Sequence, residues 1–339
     1  MAPPQAQVKT LILTGKQVRA LLDMEEVLGA VEEAFRYKGL GKVQMPLKSY
    51  LFYAKHKGDL CTMPSYVEDL GVSAVKIVTV HPDNAQYGLK TVMGTLLLVE
   101  PSTGEPLAFM DATHITAMRT GAAGAVAAKY LARPNPQVVG VIGAESQART
   151  QILGLKTLYG GLEEVRIYDL YGGKAREMAV EVKEEYKWQI GEVRAVGTPR
   201  ECVSKVDIVV TATPSRTPIV RDEWVSAGTH FNCIGADAPG KQEMDPRILK
   251  RARLVIDDWE QASHSGEINM PLSSGELTHK DVDAEIGEIV AGAKPGRVDD
   301  EQVTVFCSTG LALQDCLTAK LVYDAAIRQG VGVIMNIVN

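Results

Sequence analysis

The chain has 339 residues, 45% of them hydrophobic and 23% charged, and a formal net charge of −6. That length carries a sizeable core and two domains, and the composition is that of a globular protein rather than a disordered or fibrous one. The acidic balance argues against a nucleic-acid partner. No apolar run reaches the roughly 18 to 20 residues needed to span a bilayer, so no membrane partner is expected. A small anionic ligand stays compatible, because a local site need not follow the net charge. The five cysteines (Cys61, Cys202, Cys233, Cys307, Cys316) show no CxxC pairing, and their odd number and wide spacing read as reduced thiols. The opening MAPPQAQVKT has no charged segment followed by an apolar stretch and does not read as a signal peptide. Together these give the expectation of a cytoplasmic protein.

In chain order, Asp23-Met-Glu-Glu26 resembles a helix capping box. Apolar residues follow at helical spacing at Val27, Leu28, Val31 and Phe35, and Gly39 and Gly41 end the helix. From 47 to 110 the pattern turns to strands, with KSYLFY, SAVKIVTV, VMGTLLLVE and LAFMD separated by the turn PSTGEP. This first part reads as a mostly antiparallel sheet with one helix. Residues 112 to 133 form a helix of small residues able to pack closely. From 137 onward apolar strands (QVVGVIG, EVRIYD, DIVVTA, THFNCIG, RLVIDD, VTVFC) alternate with helices. That alternation predicts an α/β fold with a Rossmann-type, doubly wound parallel sheet. The last helix, GLALQDCLTAKLVYDAAI, can return to the first domain.

GVIGAESQART at 140–150 stands where a nucleotide-binding glycine loop belongs. Gly143 permits the tight turn and Ala148 the close helix–strand packing. Glu145, however, stands where a second glycine would let backbone approach a pyrophosphate, and a carboxylate there repels phosphate. Taken alone, the stretch is either a degraded dinucleotide loop or a plain βα turn. If Glu145 faces phosphate, its removal tightens nucleotide binding. Asp169 ends the next strand, the place of the acid that binds the adenosine ribose, or it is a loop or N-cap residue. No arginine directly follows it, which favours NAD. Lys174 and Arg176 leave NADP possible.

TATPS at 211–215 leaves a strand at its carboxyl end, where open α/β sheets bind ligands. STG at 308–310 starts the final helix and reads equally as an ordinary cap. Lys76 is the only charge in VSAVKIVTV. Facing inward it would be desolvated and could exchange protons; on an edge strand it would guard against aggregation. Lys48 and Arg119 can hold a carboxylate or sit on the surface. Asp237 follows an apolar strand, placed to face a nicotinamide ring or simply to make a turn. Asp257, Asp258, Glu260, His264 and Glu267 in DDWEQASHSGE fit no standard zinc or calcium spacing, and no metal is expected.

MPLKSYL, KGDLCTMP, TVMGTLLL, MDATHITAMRTGAAGAVAAKYLAR, TATPSRTPIV, GADAPGKQEMD, DDWEQASHSGEIN and STGLALQD together resemble the ornithine cyclodeaminase/μ-crystallin family nearly end to end, most of all its archaeal alanine dehydrogenase branch. The resemblance implies a homodimer of two-domain chains. An α+β substrate-binding and dimerisation domain would be built from 1–118 with 311–339, and a Rossmann dinucleotide-binding domain from 119–310. It implies that Lys48 and Arg119 bind the substrate carboxylate, that Lys76 is the catalytic lysine, and that Asp237 is the second acid/base group. Thr91, Thr120, Gly143, Ser146, Gln147, Asp169, Thr213, Lys241 and Ser308 would fall on cofactor-contacting positions. Thr120 and Gln147 are read as lying near helix starts, where amides suit a pyrophosphate.

Two positions depart from the family pattern. Glu145 replaces a glycine. Cys61 occupies a substrate-side position that resembles an arginine in alanine dehydrogenase and a glutamate in ornithine cyclodeaminase. The expected function is NAD-dependent, reversible oxidative deamination of L-alanine or a similar small amino acid to the 2-oxo acid and ammonia. Ornithine cyclodeaminase or cyclic ketimine reductase activity is the alternative within the same chemistry, and a non-catalytic nucleotide- or ligand-binding protein is the alternative outside it.

Overall fold

The computed structural model describes residues 7–338, so the first part of the opening stretch read for a signal peptide lies outside the described residues. The chain divides into two compact units. One takes the described chain up to Ala30, Gly41–Arg119 and the chain from Leu311 onward; the other takes Val31–Leu40 and Thr120–Gly310.

The first unit is built on an eight-stranded sheet. Its strands are β1 (Thr10–Leu13), β2 (Val43–Gln44), β3 (Ser49–Tyr53), β4 (Gly58–Val67), β5 (Val72–Val80), β6 (Val92–Val99), β7 (Pro106–Asp111) and a closing strand, Val333–Met335. From one edge the order is closing strand, β1, β7, β6, β5, β4, β2, with β3 also paired to β4. Pairing is antiparallel except between β1 and β7, which run parallel. Two helices, Gly15–Leu21 and Met24–Gly39, stand where the sequence reading placed one. Asp23 Oδ1 accepts the Glu25 amide at 2.8 Å, one residue short of the capping-box position.

Strand alternation decides the fate of Lys76. It shares a face of β5 with the buried Val72 and Ala74, and β5 runs between β4 and β6, so this lysine is on no edge. The helix Ala312–Gln329 packs against β4, β5 and β6 and covers that face.

The second unit carries a second eight-stranded sheet, parallel throughout. Its strands are β8 (Val138–Ile142), β9 (Leu162–Tyr168), β10 (Ile190–Ala195), β11 (Ile208–Thr211), β12 (His230–Cys233), β13 (Arg253–Ile256), β14 (Ala284–Glu285) and β15 (Thr304–Cys307). They lie in the order β10-β9-β8-β11-β12-β15-β13-β14. The first five places repeat the doubly wound dinucleotide-binding order, with the reversal between β8 and β11. The sixth is filled by β15, the last strand of this unit in chain order. β11, β12 and β15 are buried at every residue, so β11 and β15 read as near-continuous apolar runs rather than alternating ones, while β12 buries His230 and Asn232 in hydrogen bonds.

Small residues bring two helices of this unit together. A Cβ added at Gly121, in the helix Thr113–Leu131, would overlap the Thr150 carbonyl in the helix Ser146–Tyr159, and one added at Gly154 would meet the Gly121 carbonyl at 2.5 Å. Backbone stands in the way, so no side chain can yield. Gly121→Ala is therefore expected to cost about 2–3 kcal/mol, lowering the urea midpoint. Gly173→Ala, where nothing lies within 4 Å, should leave that midpoint unchanged or raise it.

Candidate active site

In the first unit the sheet and the helix Ala312–Gln329 bring three charges together. Lys76 and Asp315 are each 1% exposed, and Arg119 is 6% exposed. Lys76 Nζ lies 2.8 Å from Asp315 Oδ2 and donates to Thr116 Oγ1 at 3.2 Å. Arg119 Nε donates to Asp315 Oδ1 at 3.1 Å, and its Nη1 donates to Gln314 Oε1 at 3.1 Å. Two cations thus share one carboxylate. Removing charge from water is costly, and burial pushes the Lys76 amine down to about 8, against the opposing pull of Asp315 and with the further push of Arg119 and Lys48. Gln314 Oε1 also accepts the Leu311 amide, while Gln314 Nε2 is buried with no partner among the described residues. An uncompensated positive charge and an orphaned donor make this a place for an anion.

Cys61 and Met63 on β4 pair in register with Val78 and Lys76 on β5, which sets all four on one face. Cys61 and Met63 are buried together with Ala312, and Met45 and Val78 pack against them. Burial pushes the Cys61 thiol up, against hydrogen bonding from Tyr50 and the charges of Lys48 and Lys76. Cys61 is therefore a neutral, apolar neighbour of the amine. Lys48 is half-buried just ahead of β3, and its charge acts on both Cys61 and Lys76.

Apart from Thr120, the second unit places its predicted residues in the segments that follow β8, β9, β11, β12 and β15. Gly143 has φ +103, and a Cβ there would meet the Ala212 carbonyl at 2.6 Å, so the turn demands glycine. Ser146 and Gln147 open the helix Ser146–Tyr159, which has no side-chain cap, and Gln147 Oε1 is buried with no partner among the described residues. A 14-residue helix with an uncapped N-terminus, entered through an obligatory glycine turn, fits the phosphates of a dinucleotide. Asp169 follows β9; its Oδ2 accepts the Ala144 amide at 3.0 Å and its Oδ1 the Tyr171 amide at 2.8 Å. Glu145 is exposed and pairs with Lys174. Asp237 is exposed and pairs with Lys241.

Two details of the sequence reading need correction. Thr120 lies mid-helix in Thr113–Leu131, where its carbonyl accepts Gln151 Nε2 at 2.7 Å; Gln147 alone sits at a helix start. The STG stretch does not begin the final helix, which starts at Ala312; instead Ser308 Oγ donates to Asp257 Oδ2 at 3.3 Å, and the Thr309 and Gly310 amides donate to the same oxygen at 2.6 and 2.8 Å. Thr91 is exposed just before β6, in the first unit.

Sequence reasoning missed Asp315, Gln314, Thr116 and Glu243. It weighed Asp257 and Glu267 only as metal ligands, whereas both accept backbone amides. Glu243 Oε1 accepts the Thr213 amide and hydroxyl, both at 2.7 Å, and its Oε2 accepts the Gly235 amide at 2.9 Å. Glu267 in turn accepts the amides of Glu243 and Met244 at 2.9 and 2.7 Å. Burial pushes Glu243 up to about 7, and burial and the charge of Glu243 push Glu267 well above the carboxylate range.

The family pattern of ornithine cyclodeaminase/mu-crystallin proteins matches residues 8–330, and the chain belongs to that family. Within it the chain is alanine-dehydrogenase-like. It is 50% identical to an alanine dehydrogenase of Archaeoglobus fulgidus, over 96% of this chain and 98% of that protein. Its structure resembles an archaeal alanine dehydrogenase dimer with bound NAD, at TM-score 0.91 and 47% identity, covering 97% of this chain and 100% of the other. It also resembles the Δ1-pyrroline-2-carboxylate reductase of Thermococcus litoralis in complex with NADH and L-proline, at TM-score 0.91 and 39% identity over 96% and 99% of the two chains.

The buried glutamate gives a signed test. Because the folded-state value of Glu243 lies above the usual 4.5, the folded protein holds more protons than the unfolded one between about pH 4.5 and 7. Its contribution to stability is therefore largest below that window and falls as pH rises through it. In urea unfolding, the stability of the wild type relative to E243Q is expected to decline from pH 5 to pH 7.5.

Proposed function

We propose that this protein is an NAD-dependent dehydrogenase of small L-amino acids, with L-alanine as the leading substrate, interconverting the amino acid and its 2-oxo acid plus ammonia. The observation that carries this reading is the buried Lys76–Asp315–Arg119 cluster with its uncompensated positive charge, set beside the apolar wall of Cys61 and Met63. A carboxylate neutralises the charge, and a small apolar side chain suits the wall. The first unit takes the role of substrate binding and dimerisation, and the second holds the cofactor through Gly143, Ser146, Gln147, Asp169, Thr213, Lys241 and Ser308, with Thr91 and Thr120 as further contacts. A homodimer is the assembly expected from the likeness to the archaeal dimer.

Arg119 and Lys48 hold the substrate carboxylate and fix the orientation of Cα. The chemistry that NAD supplies when bound is acceptance of a hydride from Cα, which leaves an imine. Lys76 Nζ takes a proton from the substrate ammonium and, with Asp237, from the water that adds to the imine. Ammonia then leaves. In balance, the amino acid, NAD and water give the 2-oxo acid, ammonium, NADH and a proton. An amine near 8 suits this work, since both of its forms are populated close to neutral pH.

A cyclic imine bearing a carboxylate would fit the same charge and wall, and the likeness to the pyrroline-carboxylate reductase favours it as the second reading. The deciding experiment offers 2-oxo acids plus ammonia, Δ1-pyrroline-2-carboxylate and L-ornithine with NADH and NADPH. Pyruvate with ammonia should consume NADH fastest. Faster turnover of the cyclic imine would replace the first reading with the second, and cofactor binding without turnover of any of them would leave a binding protein.

The pH profile tests the cluster itself. Alanine oxidation should rise with pH through a midpoint near 8, as the Lys76 amine loses its proton. Asp315 holds that value up, so D315N should move the midpoint to lower pH while D315E restores it. A D315N profile with an unshifted midpoint would separate Asp315 from the titration of the lysine.

A further inference from the structure

A cavity of about 290 Å3 between the start of the helix Ser146–Tyr159 and the helix Gly172–Glu185 is lined by two bases and three glutamates: Arg149, Lys174, Glu145, Glu177 and Glu181. Neither base is at leisure. Lys174 pairs with Glu145, and Arg149 pairs with Glu181 and, at 3.0 Å, with Glu185. The charge of Asp169 also acts on Lys174. The cavity adjoins the place of the adenosine ribose in a doubly wound sheet: Asp169 follows the second strand and holds the glycine loop through the amide of Ala144, which lines the cavity. Asp169 spends one bond from each oxygen on a backbone amide, which leaves lone pairs on both for ribose hydroxyls.

We propose that Glu145 is a specificity-determining residue that makes the ribose cavity reject a 2′-phosphate. Resting on the reading of this unit as the NAD-binding one, it explains why a carboxylate is tolerated in the glycine loop. Glu145 occupies the N-cap position of the helix with extended backbone (φ −114, ψ −176), a conformation open to any residue, so glycine is not required there. Its side chain makes no cap bond to the helix amides and reaches Lys174 instead. The amides that would bind pyrophosphate are left open. Lys174 is the one lining base that would otherwise be free to meet a 2′-phosphate, and Glu145 both occupies it and leaves the lining with more acids than bases. NAD, with a neutral ribose at that spot, is spared this repulsion.

The test is binding, not turnover. Dissociation constants for NADH and NADPH are measured by fluorescence titration at low ionic strength for wild type, E145Q, K174A and the double variant. The wild type should prefer NADH. E145Q keeps the shape, removes the charge and should bind NADPH about tenfold more tightly, with NADH changed less than about threefold. K174A in the E145Q background should abolish that gain, and 0.5 M salt should shrink it, because the groups are exposed and screened. An unchanged NADPH/NADH ratio in E145Q would overturn the proposal while leaving the NAD reading in place. An equal gain for both nucleotides would overturn it too, since it would mean that Glu145 repels the shared pyrophosphate. A wild type that binds neither nucleotide would remove the NAD-binding reading and this proposal together.

Discussion

The contact on which the first unit turns is the carboxylate of Asp315, held between Lys76 and Arg119 with scarcely any access to water. Without it, two buried cations would face each other, and desolvation would drive the lysine further toward neutrality. With it, the lysine stays close to the edge of its titration and the arginine has a fixed fork. The rest of the cluster follows from secondary structure. Strand alternation aims Lys76 at the same face as Val72 and Ala74, and the helix Ala312–Gln329 packs on that face, so Asp315 in its first turn is delivered to the amine. The cluster carries one positive charge more than it neutralises. A buried site tolerates that only when its working state includes an anion.

The second unit uses carboxylates differently. Asp169 accepts the Ala144 and Tyr171 amides, Asp257 the Thr309 and Gly310 amides, Glu243 the Thr213 and Gly235 amides, and Glu267 the Glu243 and Met244 amides. Each tie but that of Glu267 lies where the chain leaves a parallel strand or close beyond it, and Glu267 steadies the segment that carries Glu243. Loops at the carboxyl ends of such a sheet lose their hydrogen-bond partners as the ladder stops, and an unpaired buried amide is costly. Acidic side chains take up those amides. The loops that would meet a cofactor are thereby fixed before it arrives, which lowers the ordering cost of binding. Asp257 and Glu267, whose spacing in sequence fits no metal site, are two of these braces.

Much of this was legible in the sequence, and the failures have physical causes. The buried parallel strands announce themselves as apolar runs such as DIVVTA and VTVFC. The strands β1, β10 and the closing strand were passed over, being short or half-exposed, and β4 carries Pro64 and a mixed face. The insertion of β15 ahead of β13 is a matter of long-range order that no local pattern encodes. Lys76 was visible as the lone charge of its strand, yet the choice between core and edge depends on the neighbours β4 and β6. Asp315 was invisible for a related reason: its environment is made by residues some two hundred positions away, and a single acid in an amphipathic helix looks like a surface residue. Glu145 stood out as a departure, but its partner Lys174 lies across a turn of sequence that spacing alone cannot close.

The departure at Cys61 acts through charge and burial. Cys61 sits in an apolar patch with Met63 and Ala312, close enough to Lys48 and Lys76 for their charges to act on its thiol, and burial keeps that thiol protonated. A substrate ending in a distal ammonium would bring a further cation toward Lys76, Arg119 and Lys48, with no acid at Cys61 to receive it. Asp315 is already committed to two partners. A substrate with a methyl group or an apolar ring meets no such charge conflict, and its carboxylate supplies the anion the cluster lacks. On the reading proposed above, a neutral cysteine at that position acts by the charge it does not supply, more than by any new contact it makes.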